Sequence, residues 1–164
     1  PDILRYLSTR GNLLKDYNAD GLQRVSNAEL LELPVDVLVP AALENQITAK
    51  NAGNIKAKLI VEGANGPTTV DADEILNKNG ILVAPDILAN AGGVIVSDFE
   101  WAQNRQSLFW NEDEVNQRLN RILCGAIDEV FALHEEKSIP MRTSAYCLAL
   151  KKLCTAKNIR GIFP

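Results

Sequence analysis

Short apolar runs alternate with polar, helix-forming segments through the first ninety positions of the chain. The runs are Val35–Val39, Ala57–Val61 and Ile81–Ala84. Each is nearly continuous in apolar character, which is typical of strands that are covered on both faces of a parallel sheet. Strands that alternate with helices at this short spacing predict an α/β fold, partly Rossmann-like, with a mostly parallel, doubly wound sheet.

Two helices are predicted between these strands. Thr48 is placed to cap a helix that runs through Ile55. Thr68, with Asp71 three residues later, resembles a capping box for a helix over Val70–Asn77. Asn79 and Gly80 then provide the turn that ends this helix before the third strand.

The pattern after Asn90 is helical only. Apolar residues three and four positions apart predict one amphipathic helix, at Val115, Leu119, Ile122, Leu123, Ala126, Ile127 and Val130. A second helix is predicted over Thr143–Ala156, separated from the first by Pro140. We therefore expect an α/β part over about residues 1–90 and a helical part over about 91–164, in one compact unit. The first residue is Pro1 and the first segment resembles the inside of a helix, so we expect a longer polypeptide.

Composition excludes several classes of function. The chain has 17 basic and 21 acidic residues among its 164, a net charge of -4 and no basic stripe, so nucleic acid is not an expected partner. Three cysteines without a C-x-x-C motif, and a single histidine, favour a reducing cytoplasm and no metal site. No apolar stretch approaches the roughly 20 residues that a membrane span needs, so no membrane partner is expected.

The segments that follow the three strands hold the candidate site residues. They are Pro40–Gln46 (PAALENQ), Glu62–Thr69 (EGANGPTT) and Pro85–Val94 (PDILANAGGV). Ligands of parallel sheets bind at the carboxyl ends of the strands. Small residues let a ligand approach the backbone, and an asparagine can both donate and accept hydrogen bonds. The alternative is that the glycines only form turns and that the asparagines only satisfy nearby backbone groups.

The third segment is predicted to be a strand-end loop, in which Gly92 and Gly93 permit close packing or a sharp turn beside a ligand and Asn90 is the polar contact. The residues alone do not determine whether the two glycines are helical or left-handed. A conventional catalytic set is not predicted. His134 lies among acids on a helix, and Asp98 and Glu100 are expected on a helix surface. No G-x-G-x-x-G precedes the strands, so a nucleotide domain here would be incomplete.

Three motifs together carry a family resemblance. VLVPAALENQIT, IVEGANGPTT and PDILANAGGVIVSDFEWAQN, followed by RTSAYCLALKKL and RGI, resemble the dinucleotide-binding domain of hexameric glutamate dehydrogenases. The likeness covers about Ser26–Pro164 and is weaker before Ser26. Leucine, phenylalanine and valine dehydrogenases are similar in outline, but the GPTT loop and the SDFEW segment favour the glutamate enzymes. A non-catalytic nucleotide-binding module is the third hypothesis.

The resemblance implies roles for six residues. Ala41 and Ala42 would line the dinucleotide groove. Asn65 would lie near the nicotinamide ribose and the substrate amino group, and Asn90 near the nicotinamide and the substrate. The side-chain pocket would include Val94 and Ser97, the serine hydroxyl meeting the distal carboxylate of glutamate.

The implied reaction is reversible oxidative deamination of L-glutamate to 2-oxoglutarate and ammonium, with NAD or NADP as cofactor. The full-length enzyme is expected to be a homohexamer. Its substrate domain, its catalytic lysine and its phosphate-binding turn are expected to precede Pro1. The 164-residue chain alone is therefore predicted to be inactive and to bind dinucleotide weakly.

Overall fold

The computed structural model describes residues 2–161 in two compact units that divide between Leu30 and Leu31. Pro1 and residues 162–164, which include Ile162 of the RGI motif, lie outside the described residues. Helix α1 (Asp2–Ser8) and a turn over Leu14–Asp16 belong to the first unit, and helix α2 covers Asn27–Leu31. None of the residues described from 3 to 30 is buried. The described chain therefore divides into two units where one was expected, and the predicted domain bounds stay a prediction.

The second unit contains the sheet, and its strands are parallel as predicted. They are β1 (Val37–Leu38), β2 (Leu59–Val61) and β3 (Leu82–Ala84), in the order β1-β2-β3. Ile60 of β2 pairs with Leu38 on one side and with Val83 on the other. The strands lie inside the predicted apolar runs but are shorter, since only residues with a partner across the ladder join the sheet. The α/β fold class is confirmed.

Two apolar clusters stabilise this unit. The first packs helix α3 (Val70–Lys78) against the sheet, and its buried members are Ile47, Ala52, Ile55, Ala57, Ile60, Ala72, Leu76, Ile81 and Val83. The second joins helix α4 (Asp86–Ala89) to helices α6 (Glu112–Lys137) and α7 (Met141–Arg160), through Leu88, Val130, Met141 and Ala145. Helix α4, which follows β3, is thereby packed against α7.

The predicted helix over Thr48–Ile55 was wrong, because only a 3-10 turn at Ala52–Asn54 forms there. The side chain of Asn51 accepts a hydrogen bond from Thr48 N (2.8 Å) and donates one to Gln46 O (2.9 Å). Such side-chain bonds to backbone groups compete with the first turn of a helix.

Helix α3 forms as predicted, but Thr69 caps it in place of Thr68. The hydroxyl of Thr69 accepts a hydrogen bond from Ala72 N, whereas Thr68 pairs with Ile47 in a parallel bridge. Thr68 is thus held in extended backbone one residue before the cap. Gly80 has a φ of 75° after this helix, as the Asn-Gly turn predicted.

The segment PDILANAGG is helical, so the predicted loop was wrong. Helix α4 ends at Ala89, Asn90 is its C-cap, and helix α5 (Ala91–Gln106) begins directly afterwards. Gly92 and Gly93 lie in the first turn of α5 and are absent from the positive-φ residues of the described chain. The two long helices after residue 110 are confirmed, with Pro140 as the N-cap of α7. Across residues 2–161, no helix has both the length and the apolar character to cross a bilayer.

Candidate functional site

The loops that follow β1 and β2 are packed directly together at the carboxyl end of the sheet. Ala64 N donates a hydrogen bond to Pro40 O at 2.9 Å. A Cβ added at Gly63 would lie 2.9 Å from the Cβ of Ala41, closer than real Cβ atoms approach one another. Glycine is therefore required at position 63 by this close approach. Its φ is not in the left-handed region.

The second and third strand-end segments meet at a pair of asparagines. Asn90 Nδ2 donates to Asn65 Oδ1 at 2.8 Å and also approaches Ala64 O at 3.3 Å and Gly63 O at 3.4 Å. We call Asn65 and Asn90 the amide pair. The two predicted site residues are thus brought into contact across β2 and β3. Within the described residues, this bond leaves Asn65 Nδ2 as a donor and Asn90 Oδ1 as an acceptor for other groups.

The local fold places Asn90 at a break between two helices. Its backbone N donates to Asp86 O at 3.1 Å, which closes the single turn of α4. Asn90 then leaves helical geometry, with φ -105° and ψ 7°, and the chain enters α5. Since α4 ends and α5 begins at Asn90, the two helices fix the position of its backbone. Its side chain reaches the loop after β2 from this position.

The other predicted site residues lie on the flanks of the amide pair. Ala41 and Ala42 are exposed on the loop after β1. Val94 and Ser97 are three residues apart on α5, which places them on one face of that helix. Both are exposed, and 75% of the Val94 surface is accessible. The structure brings Ala41 against Gly63.

The sequence interpretation missed an ion cluster beneath the amide pair. Arg142 on α7 contacts three carboxylates, and we call these four residues the Arg142 cluster. Arg142 Nη2 donates to Glu62 Oε1 at 2.7 Å, Nε lies 3.1 Å from Asp73 Oδ2, and Nη1 lies 3.3 Å from Asp86 Oδ1. Glu62 is fully buried, and the other three are about four-fifths buried.

The charge of Arg142 is secured by its carboxylate partners. Burial lowers the pKa of the guanidinium, but hydrogen bonds and charge from Glu62 and Asp73 raise it by more, so the pKa lies above its ordinary value. A sequence signal for the cluster existed. Glu62 directly follows a buried strand, and an acid in that position requires a partner.

Known proteins are similar to this chain in sequence and in fold. A family model described as Glutamate/Leucine/Phenylalanine/Valine dehydrogenase matches residues 1–161. The chain is 52% identical over 163 residues to a glutamate dehydrogenase of Thermotoga maritima, covering 99% of this chain and 38% of that protein. It is 50% identical over 139 residues to an NAD-specific glutamate dehydrogenase of Staphylococcus aureus, covering 85% of this chain and 34% of that protein.

A solved structure is similar over the whole chain. It is the hetero-hexameric glutamate dehydrogenase of Thermus thermophilus in its Leu-bound form, with a TM-score of 0.85, 30% identity, and coverage of 100% of this chain and 38% of that one. The chain thus spans less than two-fifths of the length of these relatives. The chain belongs to the Glutamate/Leucine/Phenylalanine/Valine dehydrogenase family.

Proposed function

We propose that this chain is the C-terminal part of a glutamate dehydrogenase and forms most of its dinucleotide-binding domain. The whole enzyme would interconvert L-glutamate with 2-oxoglutarate and ammonium. The observation that carries the proposal is the amide pair, held at the carboxyl end of a parallel sheet with one donor and one acceptor directed to no protein group in the described chain. Parallel sheets bind their ligands at this edge.

The residues present fit a nicotinamide dinucleotide, NAD or NADP. Ala41, Ala42 and Gly63 offer a surface without bulky side chains, which suits a flat ligand that must approach backbone. The amide pair offers a donor and an acceptor, as a carboxamide or a ribose hydroxyl requires. When bound, the dinucleotide supplies the hydride chemistry. The NAD-specific relative favours NAD.

The proposed roles of Val94 and Ser97 concern the substrate side chain. The hydroxyl of Ser97 would donate a hydrogen bond to the distal carboxylate of glutamate, and Val94 would contact its methylene groups. Both side chains are exposed on the same face of α5 and hence available to a ligand. An apolar pocket would leave a second carboxylate without a partner, so Ser97 is the residue expected to distinguish glutamate from leucine.

The remaining parts of the enzyme are proposed by analogy with the relatives. The substrate domain, with the catalytic lysine and the acid that exchanges protons, would come from the part of those proteins that this chain does not match. Assembly into a hexamer is supported by the hetero-hexameric relative. We further propose a cytoplasmic enzyme, and inactivity of the 164-residue chain by itself.

A chimera tests the proposed function. This chain would replace the region that it matches in the Thermotoga maritima relative. Glutamate-dependent reduction of NAD and of NADP would be followed by absorbance, with leucine as the competing substrate. We expect turnover of glutamate, and a loss of about 10- to 100-fold in kcat/KM for glutamate in Ser97→Ala, since the variant lacks a hydrogen bond to a charged group.

The matched control is Asp98→Ala, an exposed neighbour on the same helix, which should keep kcat/KM within about twofold. A folded chimera that turns over leucine in preference to glutamate would replace this proposal with a branched-chain amino-acid dehydrogenase. One that turns over neither amino acid would leave the non-catalytic module as the better hypothesis.

A further inference from the structure

Asp86 joins the two loops that carry the amide pair. Its Oδ2 accepts a hydrogen bond from Gly66 N at 2.8 Å, one residue after Asn65. Its Oδ1 accepts from Ile87 N at 2.8 Å, in the turn of α4 that leads to Asn90. The Asp86 carboxylate therefore fixes the distance between the segment that carries Asn65 and the segment that carries Asn90.

Glu62 provides a second connection between the same segments. Its Oε2 accepts a hydrogen bond from Asp86 N at 2.8 Å, and the residue lies three positions before Asn65. Glu62 is fully buried, so its charge requires compensation inside the protein.

Arg142 supplies that compensation for both carboxylates. It bonds Glu62 Oε1 through Nη2 and lies against Asp86 Oδ1 through Nη1. A guanidinium can hold two carboxylates from fixed directions, whereas the compact ammonium group of a lysine cannot reproduce this fork. Asp73 on α3 is the third partner, and in the described chain its side chain bonds only to Arg142.

We propose that Arg142 is a positioning residue that sets the geometry of the amide pair from α7. It acts through Glu62 and Asp86 and has no described contact with Asn65 or Asn90. The effect of Arg142 on the geometry of the amide pair does not depend on which reaction the enzyme catalyses. Its effect on turnover rests on the proposed function. On this proposal, a change in the packing of α7 changes the alignment of the amide pair.

The first experiment observes the amide pair directly in the 164-residue chain. The Asn90 side-chain NH2 signals would be assigned by NMR in the wild type, in Arg142→Lys and in Lys152→Met. Lys152 is the matched control, because it lies on α7 like Arg142 and forms an exposed ion pair with Glu129 of α6 at 2.6 Å. In Arg142→Lys we expect shifted Asn90 signals and side-chain exchange with solvent about two- to tenfold faster. Lys152→Met should leave both unchanged.

A second variant keeps the test decisive if Arg142→Lys does not fold. Asp73→Asn removes the negative charge of one partner of Arg142 at a residue outside both strand-end loops, so the proposal predicts a change at Asn90 that passes through the guanidinium. A smaller change of Asn90 in the same direction supports the proposal. Asn90 signals that remain at their wild-type positions in a folded Arg142→Lys, or in Asp73→Asn, overturn it.

The catalytic consequence is measured by a double-mutant cycle in the chimera. We expect Arg142→Lys to lower kcat/KM about 10- to 100-fold, as for a slightly misplaced reacting group, with kcat more affected than KM. In an Asn90→Ala background the same substitution should cost less than about threefold, because the group that it positions is gone. Equal losses in both backgrounds overturn the proposal, since a purely structural effect would be additive.

The two experiments separate this inference from the proposed function. A wild-type chimera without turnover, together with shifted Asn90 signals in the chain, would refute the glutamate dehydrogenase proposal and support the positioning role. Normal turnover of the wild-type chimera with unchanged Asn90 signals in the variants would support the glutamate dehydrogenase proposal and refute the positioning role.

Discussion

Replacing Glu62 with glutamine removes a buried charge with almost no change of shape. Glu62 accepts two hydrogen bonds, from Arg142 Nη2 at 2.7 Å and from Asp86 N at 2.8 Å. Glutamine has only one acceptor oxygen, so its NH2 group must face one of these two donors. One charge-assisted bond is lost, and a buried donor is left without an acceptor.

The expected loss of stability follows from these two contacts. A hydrogen bond to a charged group contributes about 1.5–3 kcal/mol, and an unsatisfied buried group costs about 1–3 kcal/mol. Arg142 keeps Asp73 and Asp86 as partners, so the variant does not bury an uncompensated charge. Because the lost bond and the unsatisfied donor belong to the same contact, the two costs overlap. We therefore expect Glu62→Gln to lower the free energy of unfolding by about 2–4 kcal/mol, short of the largest values for breaking a buried pair.

Urea unfolding, followed by the fluorescence of Trp101 and Trp110, measures this change in the second unit. The midpoint should fall while the m value stays constant. Glu74→Gln is the matched control, since Glu74 lies on α3, is 68% exposed, and sits 3.8 Å from Lys78. Its effect should stay within about 0.5 kcal/mol. Equal destabilisation by the two substitutions would refute the reasoning.

Three further predictions concern single positions. Gly63→Ala should destabilise the chain by about 1–3 kcal/mol in urea unfolding, because the new methyl group would meet Ala41, and Ala41→Gly should relieve part of the loss. Thr68→Val should stabilise it by about 1 kcal/mol, since the buried Oγ1 has no partner among the described residues; lower stability would contradict this. Hydrogen bonds from the Ser26 backbone and hydroxyl lower the pKa of Glu29, so their contribution is present above the unfolded-state pKa and is lost as the pH falls through the folded-state pKa. An NMR titration should show this pKa rising part of the way toward its ordinary value in Ser26→Ala, which keeps the backbone donor, and an unchanged pKa would count against the hydroxyl bond.

The sequence was informative where a local pattern decides the structure. Continuous apolar runs located all three strands, and the spacing of apolar residues located α6 and α7, because burial of one face is specified residue by residue. The helix at Thr48–Ile55 failed because the side chain of Asn51 satisfies backbone groups that a helix would use.

The candidate site was only partly predictable for a related reason. The positions of Asn65 and Asn90 after two parallel strands predicted that they share one edge of the sheet. Their direct hydrogen bond depends on residues 25 positions apart, and no periodic pattern encodes such a contact. Gly92 and Gly93 were predicted in a loop because paired glycines favour turns locally, whereas α5 begins at Ala91 and both α4 and α5 pack against α6.

The separation of Glu62 and Arg142 has a consequence for biosynthesis. The two residues are 80 positions apart, so a growing chain exposes Glu62 long before its counterion is made. Local pairing of β2 with β3 can form early, but closing an 80-residue loop is entropically costlier and must await emergence of α7. A ribosome-bound chain that stops before Met141 would carry both asparagines without the cation beneath them. If Arg142 positions the amide pair as proposed, alignment of the candidate site is a late folding step. A prematurely terminated chain would then contain both asparagines without their aligned geometry.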